Sequence, residues 1–299
     1  MSVNEYIASL EKQSKLKDAT DLNFRPDIRI NGKKIGESCF VIAGPCSVES
    51  REQIVGYAKK LADLGVDALR GGAYKPCTYP IKEKQRFGWQ EGLREEGLEL
   101  LAEAREASGL PIVTEVLDVR QIELVASYAD VLQVGTRNFQ NYGLLDGLGK
   151  LDIPVLLKRG TWGTIDEILG ACERIMYGGN KKVIICLRGV VGVPSYRHVF
   201  PSVRWAPDLM MIPALRELTR IPIIYDPSHS TGYANFVGAI SRAAIAAGAD
   251  GLAIESHPNP RESISDADQA ISLEQLTVVL ADVKRIREAM RSQGSLKFQ

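Results

Sequence analysis

Four side chains of the kind that bind metals follow short apolar runs lying far apart in the chain. Cys46 comes after FVIAG, His229 follows PIIYDPS, Glu255 ends GLAIE, and Asp266 stands in the segment after it. Thiolate, imidazole and two carboxylates form a mixed ligand set suited to a borderline divalent metal such as Mn, Fe, Co or Zn, whereas Mg rarely binds sulfur. Taken singly, a Cys or a His is more often a packing or surface residue, so a metal site requires a fold that brings the four together.

A second set consists of basic residues at or just after the ends of apolar runs: Arg70, Lys75, Arg137, Lys158, Arg159 and Arg188. Each alone could form an ion pair at the rim of the fold. Several buried cations in one place are costly unless an anion neutralises them. Arg suits the bidentate geometry of phosphate and carboxylate, and Lys acts as a point charge, so the set favours a small polyanion carrying both groups.

The chain repeats one pattern from Phe40 onward, in which apolar runs alternate with amphipathic stretches of helical period. This alternation is typical of βα units in a parallel sheet. Eight runs predict a closed (β/α)8 TIM barrel of the α/β class. The runs are FVIAG at 40, ALRG at 68, PIVTEV at 111, VLQVG at 131, PVLLKRG at 154, VIICLRG at 183, PIIYDPS at 222 and GLAIES at 251.

A barrel would place both residue sets at one mouth, because the carboxyl ends of its strands face the active site. The seventh, eighth and first strands become neighbours on closure, so Cys46, His229, Glu255 and Asp266 can meet. The alternative is an open doubly wound sheet. That class usually carries a Gly-rich phosphate turn after its first strand, where this chain has AGPCSVES.

Residues 1–37 are interpreted as an N-terminal extension, and residues 38–299 as the catalytic barrel. The extension begins with a short helical segment, and Asn31-Gly32 between two short polar strands predicts a hairpin.

Composition excludes several classes of protein. Lys plus Arg and Asp plus Glu both number 37 in 299 residues, so no overall positive field attracts nucleic acid or an anionic membrane. The N-terminus has no apolar signal region and no later run reaches the ~18 apolar residues of a membrane span, which predicts a cytoplasmic protein. Five cysteines without CxxC spacing predict free thiols, with Cys172 and Cys186 as packing residues.

The motifs as a series resemble the 3-deoxy-heptulosonate 7-phosphate (DAHP) synthase family in its short type I form, which is related to the 3-deoxy-octulosonate 8-phosphate synthases. The resemblance covers about residues 28–285 and is carried by AGPCSVES, LRGGAYKP, TEV, QVGTRN, LLKRG, LRG, DPSHSTG, IESHPNP and SDADQ. It implies condensation of phosphoenolpyruvate with an aldose phosphate, erythrose 4-phosphate, at a divalent metal, in the first step of aromatic amino acid (shikimate) biosynthesis. It also implies a homodimer or homotetramer.

The resemblance assigns roles to individual residues. Arg70, Lys75 and Lys158 would hold the phosphoenolpyruvate carboxylate, and Arg137, Arg188 and Lys158 its phosphate. Cys46, His229, Glu255 and Asp266 look like metal ligands, and the metal would polarise the acceptor aldehyde for attack by C3 of phosphoenolpyruvate. Glu115 in TEV would assist the water that attacks C2, so the catalytic residues implied are Lys75, Glu115, Cys46 and His229, with Thr78 as a further substrate-binding residue.

The chain departs from the family pattern on the acceptor side. Cys77 stands where the family has an acceptor-binding Arg, the segment after Thr78 is lengthened, the loop after the sixth strand carries Arg197 and Arg204, and Ala267 replaces a usual Gly. Either other basic residues restore the phosphate contact, or the acceptor is a different aldehyde in a specialised pathway. A non-catalytic barrel that binds phosphorylated ligands is the remaining alternative. No appended regulatory domain is expected.

Overall fold

Eight parallel strands close into a barrel in the computed structural model, which describes residues 2–12, 16–76, 92–192 and 196–292. Two strands precede the barrel, β1 (Arg29–Ile30) and β2 (Lys33–Lys34). The barrel strands are β3 (Phe40–Gly44), β4 (Ala68–Arg70), β5 (Ile112–Glu115), β6 (Val131–Val134), β7 (Val155–Lys158), β8 (Val183–Leu187), β9 (Ile223–Tyr225) and β10 (Gly251–Glu255). Strands β3 to β10 are hydrogen-bonded in chain order, and β10 returns to pair with β3. Each predicted apolar run forms one barrel strand, which confirms the (β/α)8 prediction.

Closure brings the distant metal-ligand candidates to neighbouring strands. Glu255 at the end of β10 is in register with Gly44 at the end of β3, and β10 also pairs with β9. The segments after β3, β9 and β10 therefore emerge side by side at the mouth of the barrel.

The helices surround the barrel. They are α1 (Val3–Lys12), α2 (Arg51–Asp63), α3 (Glu95–Ser108), α4 (Ile122–Tyr128), α5 (Tyr142–Leu148), α6 (Ile165–Tyr177), α7 (Met211–Leu218), α8 (Pro227–Thr231), α9 (Ala234–Ala246) and α10 (Leu273–Ser292). In α6, Thr164 and Glu167 form a capping box, and Ile168, Cys172 and Ile175 are buried at helical spacing. Cys172 is therefore a packing residue, as predicted.

The short helix α8 lies between β9 and α9. Asp226 caps its N-terminus by accepting a hydrogen bond from the His229 amide, and Pro227 occupies its first turn. The helix thus holds His229 close to the end of β9. Among the described helices, none is both long and apolar enough to cross a membrane.

The predicted hairpin is present and closes the amino-terminal end of the barrel. Strands β1 and β2 pair antiparallel around Asn31-Gly32, and Asn31 has a positive φ of 48°. Ile28, Ile30 and Ile35 are buried in one cluster with the barrel's inward-facing side chains, which include Cys186. The hairpin therefore belongs to the barrel's interior core. A domain boundary at residue 37 stays a prediction.

Truncation of Ile28, which is fully buried, should lower the free energy of unfolding by about 2 to 5 kcal/mol, because Ile28→Ala leaves a cavity in the barrel interior. Urea unfolding followed by circular dichroism measures the change. The matched control is Arg29→Ala in the same hairpin, where the half-exposed side chain should contribute no more than about 0.5 kcal/mol. Equal, small effects of both substitutions would contradict a structural role for the hairpin core.

Candidate active site

A cavity of about 750 Å³ opens at the carboxyl ends of the barrel strands. Its wall contains residues from the predicted metal set, all five of the predicted substrate-binding cations and two tryptophans that sequence analysis did not single out. The ionisable and aromatic lining residues are Cys46, Arg70, Lys75, Glu115, Arg137, Lys158, Trp162, Arg188, Arg204, Trp205, His229 and Asp266. Cys77 and Thr78 lie outside the described residues.

The four predicted metal ligands converge at one edge of this cavity. One donor atom from each of Cys46, His229, Glu255 and Asp266 lies within 4.8 Å of the others. Asp266 Oδ2 is 3.2 Å from Cys46 Sγ and 4.0 Å from His229 Nε2, and Glu255 Oε2 is 3.6 Å from the same nitrogen. The fold therefore satisfies the condition on which the sequence hypothesis depended.

Backbone geometry and hydrogen bonds hold the loop that carries Asp266. The residue has a positive φ of 57°, which is uncommon outside glycine although Asp tolerates it better than most residues. Two positions earlier, the Ile264 amide donates to Glu49 Oε1 at 2.9 Å, and Glu49 lies close to the His257 ring. Glu49 follows β3 on the same segment as Cys46, so the loops supplying Cys46 and Asp266 are tied to each other.

His229 is oriented by Asp226 at the end of β9. Its Nδ1 lies 2.8 Å from Asp226 Oδ2, and its Nε2 faces Glu255 and Asp266. Burial lowers the pKa of His229 well below its usual range, despite the opposing charge of Asp226. A neutral imidazole with its proton on Nδ1 has its Nε2 lone pair available to a metal.

Burial also changes the pKa values of the other three candidate ligands. Burial raises the pKa of Cys46 to about 11, so its thiol is protonated at neutral pH. Burial also raises the pKa of Glu255, whose side chain is fully inaccessible to solvent, although Arg70 opposes the change. Asp266 is different: burial alone would raise its pKa, but Lys75, His229 and Arg204 outweigh burial and lower it.

The donor set fits a divalent cation. Glu255 Oε1 is buried and has no hydrogen-bond partner among the described residues, which is costly for a carboxylate oxygen unless a cation compensates it. Sulfur, nitrogen and oxygen donors at this spacing suit Mn, Fe, Co or Zn. The residues that would hold such an ion are the four predicted ones.

The cations of the cavity lie on both sides of this cluster. Arg70 Nη2 is 3.4 Å from Glu255 Oε2, and the Lys75 ammonium contacts Cys46 Sγ and lies 3.9 Å from Asp266. Rim ion pairs were the alternative explanation of these residues, and carboxylate partners do exist for some of them. The carboxylates that face Arg70 and Lys75, however, belong to the candidate metal cluster itself.

The remaining cations lie along β6, β7 and β8. Lys158 is 3% exposed and forms an ion pair with Asp226, while Arg188 Nη1 donates to Thr136 Oγ1 at 3.0 Å. Arg188 Nε is buried without a hydrogen-bond partner in the described part of the chain, and burial lowers the pKa of this guanidinium. Arg137 is exposed beside them on a 3-10 turn. These groups present positive charge to the cavity.

Arg159 belongs to a different environment. It is buried, donates to the Gly163 carbonyl at 2.8 Å and pairs with Asp208 at 3.2 Å, and it is absent from the cavity wall. Of the two adjacent basic residues at the end of β7, Lys158 faces the cavity and Arg159 has the structural ion pair. The alternation of side chains along a strand accounts for the difference.

Glu115 lines the cavity, and its carboxylate packs against the backbone of Gly135. Its Oε2 accepts a hydrogen bond from Gln133 Nε2 at 3.3 Å, and a Cβ added at Gly135 would lie only 1.9 Å from its Oε1. Gly135 therefore leaves the space that the carboxylate occupies. This close approach across β5 and β6 could not be inferred from sequence spacing.

Several polar partners in the site were missed by sequence reasoning. Asp226 binds both Lys158 and His229, and Gln269 Nε2 donates to Glu255 Oε2 at 2.7 Å. Asp226 lies in the DPSHSTG motif and could have been suspected from its position at a strand end. Arg204, one of the two loop arginines proposed for the acceptor, lies 2.6 Å from Asp266 Oδ1, whereas Arg197 is exposed and outside the cavity wall.

The fold is that of a (β/α)8 barrel, and the cavity at its mouth combines side chains that could hold a metal ion with a set of basic residues. The family model of the DAHP synthetase I family matches residues 16–292. The chain belongs to this family, and it is a transferase of the DAHP synthase type.

Curated relatives agree with this assignment. A phospho-2-dehydro-3-deoxyheptonate aldolase of Thermotoga maritima is 42% identical over 271 residues, which cover 89% of this chain and 76% of the relative. A 2-dehydro-3-deoxyphosphooctonate aldolase of Azoarcus sp. is 28% identical over 87% of this chain and 95% of its own length.

Two solved structures from Thermotoga maritima share the architecture. The crystal structure of its DAHP synthase superposes with a TM-score of 0.83 at 39% identity, covering 93% of this chain and 78% of that one. A truncated form of the same synthase has a TM-score of 0.77 at 38% identity, with 91% and 95% covered.

Metal affinity should depend on pH through Cys46. Because the thiol has a pKa of about 11 and His229 is already neutral, binding of Co²⁺ should displace about one proton from Cys46. Raising the pH weakens proton competition, so affinity should rise roughly tenfold per pH unit between about pH 6.5 and 8.5. Calorimetric titrations test this, and Cys46→Ser should lose most of the dependence. Identical slopes in both proteins would exclude Cys46 as a ligand.

Proposed function

We propose that the protein condenses phosphoenolpyruvate with erythrose 4-phosphate, giving DAHP and inorganic phosphate, in the first step of aromatic amino acid biosynthesis. The observation that carries this proposal is the joining of two sites in one cavity. Cys46, His229 and Asp266 of the metal-ligand cluster line the same space as Arg70, Lys75, Arg137, Lys158 and Arg188.

The donor side of the cavity suits a molecule with a carboxylate and a phosphate a few atoms apart. Arg70 and Lys75 lie beside the metal cluster, and Arg188 and Arg137 lie further along the wall, with Lys158 on the β7 side. Phosphoenolpyruvate held between these groups would have its reactive enol carbon directed at an acceptor near the cluster. Fixing two reactants in this way can lower a barrier by several kcal/mol.

A divalent metal in the cluster would supply Lewis acidity to the acceptor aldehyde. Side chains of the protein would bind the donor and accept a proton. A bond forms between C3 of phosphoenolpyruvate and the aldehyde carbon, and the aldehyde oxygen takes up a proton. Water adds at C2 and loses a proton, and the C2–O bond to phosphate then breaks as the C2 hydroxyl loses its proton, giving the ketone and inorganic phosphate. Glu115, held by Gln133 at the cavity wall, is the group we assign to accept a proton from that water. Lys75 and Arg70 stabilise the negative charge of the donor carboxylate.

A second candidate is the same chemistry with a different aldehyde. Cys77 stands in place of the acceptor-binding Arg of the family pattern, and Arg204, a cation considered as its replacement, donates a hydrogen bond to Asp266 Oδ1. A non-catalytic phospho-ligand barrel is not proposed, because both the metal-ligand cluster and the cation set are complete.

Phosphate release from phosphoenolpyruvate should require an aldose and a divalent metal. We expect the highest turnover with erythrose 4-phosphate, less with arabinose 5-phosphate and unphosphorylated aldehydes, and none after exhaustive chelation, with recovery on adding Mn²⁺ or Co²⁺. A preference for an unphosphorylated or longer aldehyde would identify the second candidate. Undiminished activity after chelation would overturn the metal assignment.

Replacement of Arg137 should weaken donor binding selectively. Arg137→Ala removes a charge-assisted contact to phosphate worth on the order of 1.5 to 3 kcal/mol, or roughly ten- to a hundredfold in phosphoenolpyruvate affinity. Steady-state kinetics should show a raised KM for phosphoenolpyruvate with little change in acceptor KM. Arg120→Ala, which removes an exposed arginine paired with Asp118 away from the cavity, is the control. An unchanged donor KM in Arg137→Ala would assign that residue a structural role.

A further inference from the structure

Asp226 is a fully buried carboxylate that contacts two parts of the site at once. Its Oδ1 accepts a hydrogen bond from the His229 amide at 2.8 Å. Its Oδ2 lies 2.8 Å from His229 Nδ1 and also forms the ion pair with the Lys158 ammonium. One oxygen atom is therefore shared by an imidazole and an ammonium group.

The two partners of Asp226 face different ligands. His229 turns its Nε2 toward Glu255 and Asp266, so it belongs to the metal-ligand cluster. Lys158 lines the cavity on the β7 side, and its strand pairs with β8, which leads to Arg188. Asp226 itself is absent from the cavity wall, so it acts on both ligands only through these residues.

Sharing of one oxygen makes the two partners compete for the same negative charge. When an anion in the cavity pairs with the Lys158 ammonium, less of that positive charge neutralises Asp226. The carboxylate then polarises His229 Nδ1–H more strongly, and Nε2 becomes a better ligand. A cation bound at Nε2 makes the imidazole more positive and so strengthens its attraction to Asp226 Oδ2, which leaves more of the charge of Lys158 for the anion.

We propose that Asp226 is a positioning residue that couples metal binding to phosphoenolpyruvate binding, so that each ligand raises the affinity for the other. The inference rests on the proposed function for the identity of the two ligands. By linkage the coupling must be reciprocal, so it can be measured from either side.

The test is the affinity for Co²⁺ with and without saturating phosphoenolpyruvate, read from the thiolate-to-cobalt absorption band rather than from turnover. In Asp226→Asn, Co²⁺ affinity without phosphoenolpyruvate should fall about ten- to a hundredfold, as is typical when a partner of a metal-binding His is lost. The factor by which phosphoenolpyruvate tightens Co²⁺ binding should fall at least roughly fivefold from its wild-type value. Direct attraction between the two ligands would account for what remains.

A second variant protects the test against misfolding of the first. Lys158→Gln leaves the Asp226–His229 contact in place but removes the competitor, so Co²⁺ affinity without phosphoenolpyruvate should hold or rise while the coupling factor falls. A purely structural role would weaken metal binding in both variants. Asp208→Asn makes the same chemical change in the neighbouring ion pair with Arg159, outside the cavity, and should retain wild-type coupling.

The outcomes separate this inference from the proposed function. Wild-type protein that binds no Co²⁺, or binds it without the thiolate band, would overturn the proposed metal cluster and the inference with it. Wild-type coupling that persists in folded Asp226→Asn and in Lys158→Gln would overturn the inference alone. Loss of coupling in both variants but not in Asp208→Asn would support it.

Discussion

The site depends on mutual compensation of charges that are buried at the mouth of the barrel. Isolated ions in such a place would be strongly destabilising, because each loses its hydration. Asp226 offsets this cost for Lys158 and orients His229, while Glu255 lies between Arg70 and Gln269. The arrangement leaves particular atoms, such as Glu255 Oε1 and Arg188 Nε, buried without protein partners. Those atoms are where charged ligands would complete the compensation.

The barrel supplies the rigidity that this compensation requires. Side chains from the strands fill its interior, and Ile28, Ile30 and Ile35 of the hairpin close the end opposite the cavity. Close packing at that end resists the movement of strands relative to one another. The positions of the strand ends, and hence of the residues that follow them, are therefore set by the core.

The residues that line the cavity come from two kinds of segment. Arg70, Lys158 and Arg188 stand at or next to strand ends, where the barrel positions them directly, whereas Asp266 lies in the loop after β10. Arg204 and Trp205 also come from a longer segment, the one between β8 and α7. Loops tolerate change better than the scaffold, so we expect lining residues of this second kind to vary more readily than those at strand ends.

The eight strands, the hairpin and the four metal-ligand candidates could be predicted from the sequence, because hydrophobic periodicity and the position of a polar residue after an apolar run are local properties. The tertiary structure alone decided which charges face each other. Lys158 faces the cavity, whereas its neighbour Arg159 forms an ion pair with Asp208. Asp226 contacts both Lys158 and His229. Arg204 donates a hydrogen bond to Asp266. These contacts join residues from different strands and loops, and their geometry depends on closure of the barrel and on side-chain rotamers. Barrel closure and side-chain rotamers cannot be inferred from local sequence, because both arise from packing of the whole chain.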